Sequence, residues 1–237
     1  MTFSILGRCE ATGRLGMAVT SSSPAVAARC ANVRARVGVA ASQNVTDPRL
    51  GPALLDALVA GRSPQEAVQS TVAAAPHADY RQLAVVGADG GSAAWSGPRT
   101  LGIHGARTGD GWAAAGNLLA SESVLDAVGR AFAESAEPEL EARLLAALAA
   151  GLAAGGEAGP LGSAGLLVAD AVAWPVTDLR VDWVDEDDAG PIEQLAALWQ
   201  RWAPQRDAYV TRALHPESAP AYGVPGDPGR SAPPAES

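Results

Sequence analysis

Two runs near the start of the chain, Thr2 to Leu6 and Leu15 to Ser21, are apolar and β-prone, and a polar turn containing Thr12-Gly13 joins them. That pattern predicts a β-hairpin with Thr2 at the head of its first strand. A third run, Val37 to Gln43, ends in polar residues and Asn44, and Asp47-Pro48 breaks it. From Leu50 the apolar positions Leu54, Leu55, Leu58 and Val59 recur at helical spacing, and Gly61 closes that helix. Ser63-Pro64-Gln65-Glu66 has the form of a capping box with proline at the first helical position, opening a helix to about Ala75. Gln82 to Gly87 and Ser92 to Ser96 flank Ala88-Asp89-Gly90-Gly91, a second hairpin.

A strand from Gly111 to Gly116 leads into Asn117. Two helices follow. Ser121 to about Ala133 carries Val124, Leu125, Val128 and Phe132 on one face, and Pro138 to Leu152 repeats leucine every fourth residue from Leu140. Ala164 to Ala169 and Asp178 to Val184 read as strands, and Pro191 to Trp202 as a last amphipathic helix. Helices grouped between hairpins predict an α+β fold of antiparallel sheets covered by helices, not alternating βα units. Residues 1–212 form the expected domain. Residues 213–237, rich in Pro, Gly and Ser, are expected to form a disordered tail.

Composition narrows the function. All 17 basic residues are arginine, so no lysine can form a Schiff base, hold a phosphate in a Walker loop or assist a terminal threonine. The net charge of −9 and the absence of any basic run argue against nucleic acid as a partner. Cys9 and Cys30 are too few for a disulfide framework, and His77, His104 and His215 form no ligand pair, so no metal or other cofactor is expected. The N-terminus reads as no secretory signal, and the Ala/Leu run from Leu144 to Gly156 is too short and glycine-broken to span a bilayer. These features predict a reduced, cytoplasmic protein with no membrane partner. Trp174, Trp183, Trp199 and Trp202 cluster late in the chain and suit either a core or a homodimer interface. The acidic run Asp185-Glu186-Asp187-Asp188 lacks the ligand alternation of a calcium loop and reads as a solvated loop.

The most informative position is the second. Methionine aminopeptidases remove Met1 when the next side chain is small, as Thr2 is. The new terminus then carries a hydroxyl nucleophile and an α-amine that titrates at about pH 8, a base supplied by the same residue.

Five segments carry a family resemblance. Thr2-Phe3-Ser4-Ile5, Gln43 to Gly51, Arg107-Thr108-Gly109-Asp110-Gly111, Gly116-Asn117-Leu118-Leu119 and Asp178 to Asp182 occur in this order. Over about residues 2–203 the chain resembles the DUF1028 proteins, a family placed among the N-terminal-nucleophile (Ntn) hydrolases. The resemblance implies a four-layer αββα sandwich, two antiparallel sheets covered by helices, and hydrolysis of an amide bond by a terminal threonine. One stretch departs from the family: Gly159-Pro160-Leu161-Gly162-Ser163 stands where relatives often carry polar Arg and Gln.

The expected reaction is attack by Thr2 on a small linear or ureido amide, giving an acyl-enzyme that water hydrolyses. Asn117, after a glycine at a strand end, is the leading oxyanion donor. Among Ser21, Ser22 and Ser23, a hydroxyl such as that of Ser22 can hold the terminal amine or substrate, or serve only the turn. Gln43 and Asn44 can orient the amine or bind substrate, or cap the turn before Pro48. Arg107, in a Gly-flanked loop, and Arg180, between Asp178 and Asp182, are candidates for a substrate carboxylate; Arg180 equally suits a salt-bridged strand face. Two other classes stay open: a non-catalytic binding or assembly member of the fold, and a short-peptide hydrolase.

Overall fold

The first hairpin forms as the pattern predicts, with β1 (Thr2–Arg8) antiparallel to β2 (Leu15–Ser21). The computed structural model describes residues 1–185 and 188–224. Glu186 and Asp187 of the acidic run, and residues 225–237 of the expected tail, lie outside them. After the hairpin come α1 (Val26–Cys30), β3 (Ala31–Arg34), β4 (Gly38–Asn44), α2 (Leu50–Val59), α3 (Pro64–Ala74), β5 (Arg81–Gly87) and β6 (Ser92–Ser96). Then follow β7 (Ile103–Gly109), β8 (Trp112–Leu119), α4 (Ser123–Ala133), α5 (Leu140–Ala153), β9 (Ser163–Ala169), β10 (Pro175–Val181), α6 (Pro191–Trp202) and α7 (Arg206–Leu214).

The strands make two antiparallel sheets. One has the order β10-β9-β2-β1-β8-β7, the other β3-β4-β5-β6. Alternation along β1 sends Leu6 into the space between the sheets, where it meets Met17, Val19, Val39, Ala41 and Val86. Phe3, Ile5 and Gly7 face the other way, toward α4 and α5, which pack on β1, β2 and β8. On the far side of the smaller sheet, α2 and α3 bury Leu54, Leu55 and Val68 against Ala40, Leu83 and Val85. The α3 capping box forms as predicted: Glu66 N–H donates to the Ser63 hydroxyl, and Ser63 N–H to the Glu66 carboxylate. Leu140, Leu144 and Leu148 are buried along α5, while Leu152 is exposed at its end.

Several elements differ from the sequence pattern. β3 and β7 are edge strands, and their half-exposed residues lack the apolar alternation that marks a buried strand. The five-residue α1 is too short to show a period. β10 starts three residues earlier than expected, at Pro175, a position proline tolerates on an outer strand. β8 extends through Leu119, so Asn117 lies inside a paired strand and not beyond its end.

Residues 1–199 make one compact unit and the chain from Gln200 a second. Within the second, Trp202 and Tyr209 lie with ring centroids 5.0 Å apart, and the Arg212 guanidinium sits over Tyr209 and Tyr222. Ala213 and Leu214 complete α7 and residues 216–218 form a 3₁₀ turn, so regular structure enters the stretch expected to be disordered. Among the described residues no helix is long and apolar enough to cross a membrane.

Close approach of the helices requires small residues on β1. A Cβ built on Gly7 would meet the Phe132 ring at 2.2 Å, and that ring is buried. Gly7→Ala is therefore expected to destabilise the fold by about 1–3 kcal/mol through overpacking, read as a lowered urea midpoint with unchanged m.

Candidate active site

Three strand ends meet at one end of the larger sheet. β1 begins at Thr2, which pairs with Asn117 near the end of β8. The β1–β2 register, Phe3 opposite Thr20, brings Thr2 level with Ser21 at the end of β2. Alternation turns Thr2, Ser21 and Asn117 toward the smaller sheet, and all three are buried. Thr2 Oγ1 donates to the Met1 carbonyl at 2.5 Å and lies 3.3 Å from Ser21 Oγ. Ser21 Oγ donates to the same carbonyl, and Ser23 Oγ is 2.9 Å from Ser21 Oγ. Hydroxyls thus gather on the Met1–Thr2 peptide bond.

Beneath them a chain of buried polar groups links the sheets. Ser4 Oγ donates to Gln43 Oε1 at 2.8 Å, and Gln43 Nε2 donates to Gln82 Oε1 at 2.8 Å. Asn117 Nδ2 donates to the same Gln82 oxygen at 3.1 Å. Gln82 Nε2 in turn reaches the carbonyl of Gly116 at 2.9 Å and that of Gly105 at 3.1 Å. Gln43 and Gln82 are fully buried, so each such partner offsets a desolvation cost of about 1–3 kcal/mol.

The other residues singled out from the sequence divide by location. Gln43 uses both ends of its amide inside this chain, between Ser4 and Gln82, and shares the Gln82 oxygen with Asn117. Asn44, at φ 71°, ties two loops together through the Tyr80 carbonyl and Leu101 N–H. Ser22 engages through its backbone N–H, and Ser21 is the serine beside Thr2. Arg107 lies in β7, not in a loop, opposite Ala114 on the helix-covered face, where it pairs with Asp126 of α4 at 2.7 Å. Arg180 is on outer strand β10, three strands and about 14 Å from β1, with Asp178 at 3.9 Å. Neither arginine joins the Thr2 cluster.

Glu157 joins it unannounced. Leu119 pairs with Ile103 of β7 on one side and with Glu157 on the other, which puts Glu157 in the lane of β1, just beyond Met1. Its Oε2 accepts from Ser22 N–H at 3.1 Å, while its buried Oε1 has no partner among the described residues. Burial pushes this carboxyl up to about 7, against the opposing pull of the chain's α-ammonium and the Ser22 hydrogen bond. Two signals for these residues lay in the sequence. Gln82 is an amide at the mouth of an apolar strand, and Glu157 is a lone acid in a glycine-rich break.

Beside Glu157 is a cavity of about 330 Å³ lined by Leu152, Gly159, Leu161, Ile192 and Glu193 as well. The Met1 side chain lies against Gly159, where a built Cβ would meet its methyl carbon at 2.8 Å. A larger cavity of about 460 Å³, lined by Arg36, Leu58 and Asp89 among others, is at the opposite end of β5 from Gln82 and holds none of these groups.

The chain belongs to the DUF1028 family, whose model, described as a family of unknown function, matches residues 2–195. It is similar to the crystal structure of protein SPO2555 from Silicibacter pomeroyi, also of DUF1028, at 34% identity and TM-score 0.78, covering 84% of this chain and 85% of that one. Anbu, an ancestral β-subunit from Yersinia bercovieri, matches at 10% identity and TM-score 0.38, covering 87% of this chain and 97% of that one. That likeness is too distant to carry an argument. No curated protein matches the chain.

The raised Glu157 carboxyl has a consequence for stability. The folded state holds its proton to about pH 7, whereas the unfolded chain releases it near 4.5. Stability is thus unaffected below pH 4.5, declines as pH rises through 7, and is lower above it by about 3 kcal/mol at most. Glu157→Gln should therefore be more stable than wild type at pH 8 and equal to it near pH 4, measured by urea unfolding.

Proposed function

We propose that this chain is an Ntn-type amidohydrolase, its two sheets and flanking helices forming the four-layer αββα sandwich of that class. Removal of Met1 frees the Thr2 amine, and the substrate carbonyl takes up the position beside the Thr2 and Ser21 hydroxyls. Thr2 Oγ1 attacks that carbon while its proton passes to the Thr2 amine, directly or through one water. The oxyanion is met by Asn117, whose amide has a second N–H besides the one given to Gln82. Collapse breaks the C–N bond and the departing amine takes the proton. Water, deprotonated by the same α-amine, then cleaves the Thr2 ester and restores the hydroxyl. The substrate class is a small linear or ureido amide.

The observation that carries this reading is the convergence of Thr2 Oγ1, Ser21 Oγ and Asn117 at one strand end, around the bond whose removal exposes the base. Ser21 orients the nucleophile, and the Gln43–Gln82 pair holds Asn117.

Intact mass of the purified chain should be short by one methionine, and incubation with an amide library should add one acyl mass. Thr2→Ala is expected to remove both adduct and turnover; equal turnover by this variant would refute the mechanism. Asn117→Ala should lower kcat by about 10²–10³-fold with little change in KM, measured by steady-state kinetics on the substrate so found.

A further inference from the structure

The end of β1 is closed on three sides. Ser21 and Ser22 flank it from β2, Leu118 and Leu119 from β8, and Glu157 to Gly159 lie across its lane. Met1 fills the space between, half-buried, with its carbonyl on the hydroxyls and its side chain against Gly159. Removing it would leave a recess open to solvent on one side and continuous with Thr2. Glu157 is the acidic wall of that recess. It is 6% exposed, one carboxylate oxygen is held by Ser22 N–H, and the other is buried without a partner among the described residues. The adjoining cavity is otherwise apolar along Leu152, Leu161 and Ile192, with the Glu193 carboxylate at its rim.

A buried carboxylate oxygen with no donor is unfavourable until a donor arrives. Resting on the hydrolase reading above, we infer that the place of Met1 is a subsite for an ammonium group on the acyl arm of the substrate, and that Glu157 selects it. The arm is short, because Glu157 stands in the strand register next to the position of Met1. Its methylenes lie along the apolar wall, and its ammonium donates to the free oxygen of Glu157. An anionic arm is rejected by Glu157 and Glu193 together. The substrate is therefore a small ω-amino acyl amide.

Binding is measured by calorimetry on the mature Thr2→Ala protein, which cannot turn substrate over, with 3-aminopropanamide and its neutral isostere butanamide. The ammonium amide should bind about ten-fold tighter or better, in keeping with a charge-assisted hydrogen bond in a buried site, and Glu157→Gln in the same background should erase the difference. Equal affinities, no binding of either amide, or a preference that survives Glu157→Gln would overturn the inference. The comparison without the Glu157 substitution stands even if that variant fails to fold. In otherwise wild-type protein, a Glu157→Gln loss of kcat equal for both amides would mean that the carboxylate positions Thr2 and selects nothing, which also overturns it. The two readings part cleanly. Preferential binding without wild-type turnover sinks the hydrolase and leaves the subsite; turnover of both amides at equal kcat/KM does the reverse.

Discussion

The arrangement rests on one buried amide, Gln82. Its oxygen accepts from Gln43 within its own sheet and from Asn117 in the other, and its nitrogen reaches carbonyls on β7 and β8. An amide has one acceptor and one donor end, so only one mutual placement of the two sheets satisfies all of these at once. A slip of one residue in β5 would turn Gln82 to the opposite face and strand four polar groups in an apolar interior. Apolar contacts between mostly small side chains such as Ala41, Ala84, Ala113 and Ala115 are forgiving of small displacements, and this network is not.

That constraint also holds the start of the chain in place. Chain termini ordinarily fray because nothing beyond them holds them. Here Thr2 opens an inner strand of a six-stranded sheet and pairs with Asn117, and Ser4, two residues later, is anchored through Gln43 to Gln82. Thr2 so gains the fixed geometry of a core residue although it is second in the chain.

Much of the fold was legible because its inner strands are written in alternating or continuous apolar runs and its helices in fourfold stripes. The edge strands β3 and β7 were not, since a strand with one free flank and half-exposed faces carries no such mark. The site was legible only where chemistry lay in consecutive residues. Thr2 and Asn117 stood out by position and type, and they prove to be cross-strand neighbours. That Arg107 and Arg180 lie apart from Thr2 was not legible, because charge type says nothing about which sheet face or strand a residue occupies. Ser21 could not be separated from Ser22 without the register of β2. Gln82 and Glu157 matter through partners 35 residues or more away, Asn117 for one and Ser22 for the other, and no local pattern encodes such a pairing.

The outermost strand of the larger sheet bears on how copies of this chain can meet. β10 opens with a proline and then presents Asp178 and Arg180 to solvent, opposite charges alternating along one flank of the sheet. An incoming strand would lose a ladder hydrogen bond at the proline and would have to match that charge order against its own. Sheet growth across two molecules is thereby disfavoured at this edge, which leaves the β10 side of the strand lattice finite.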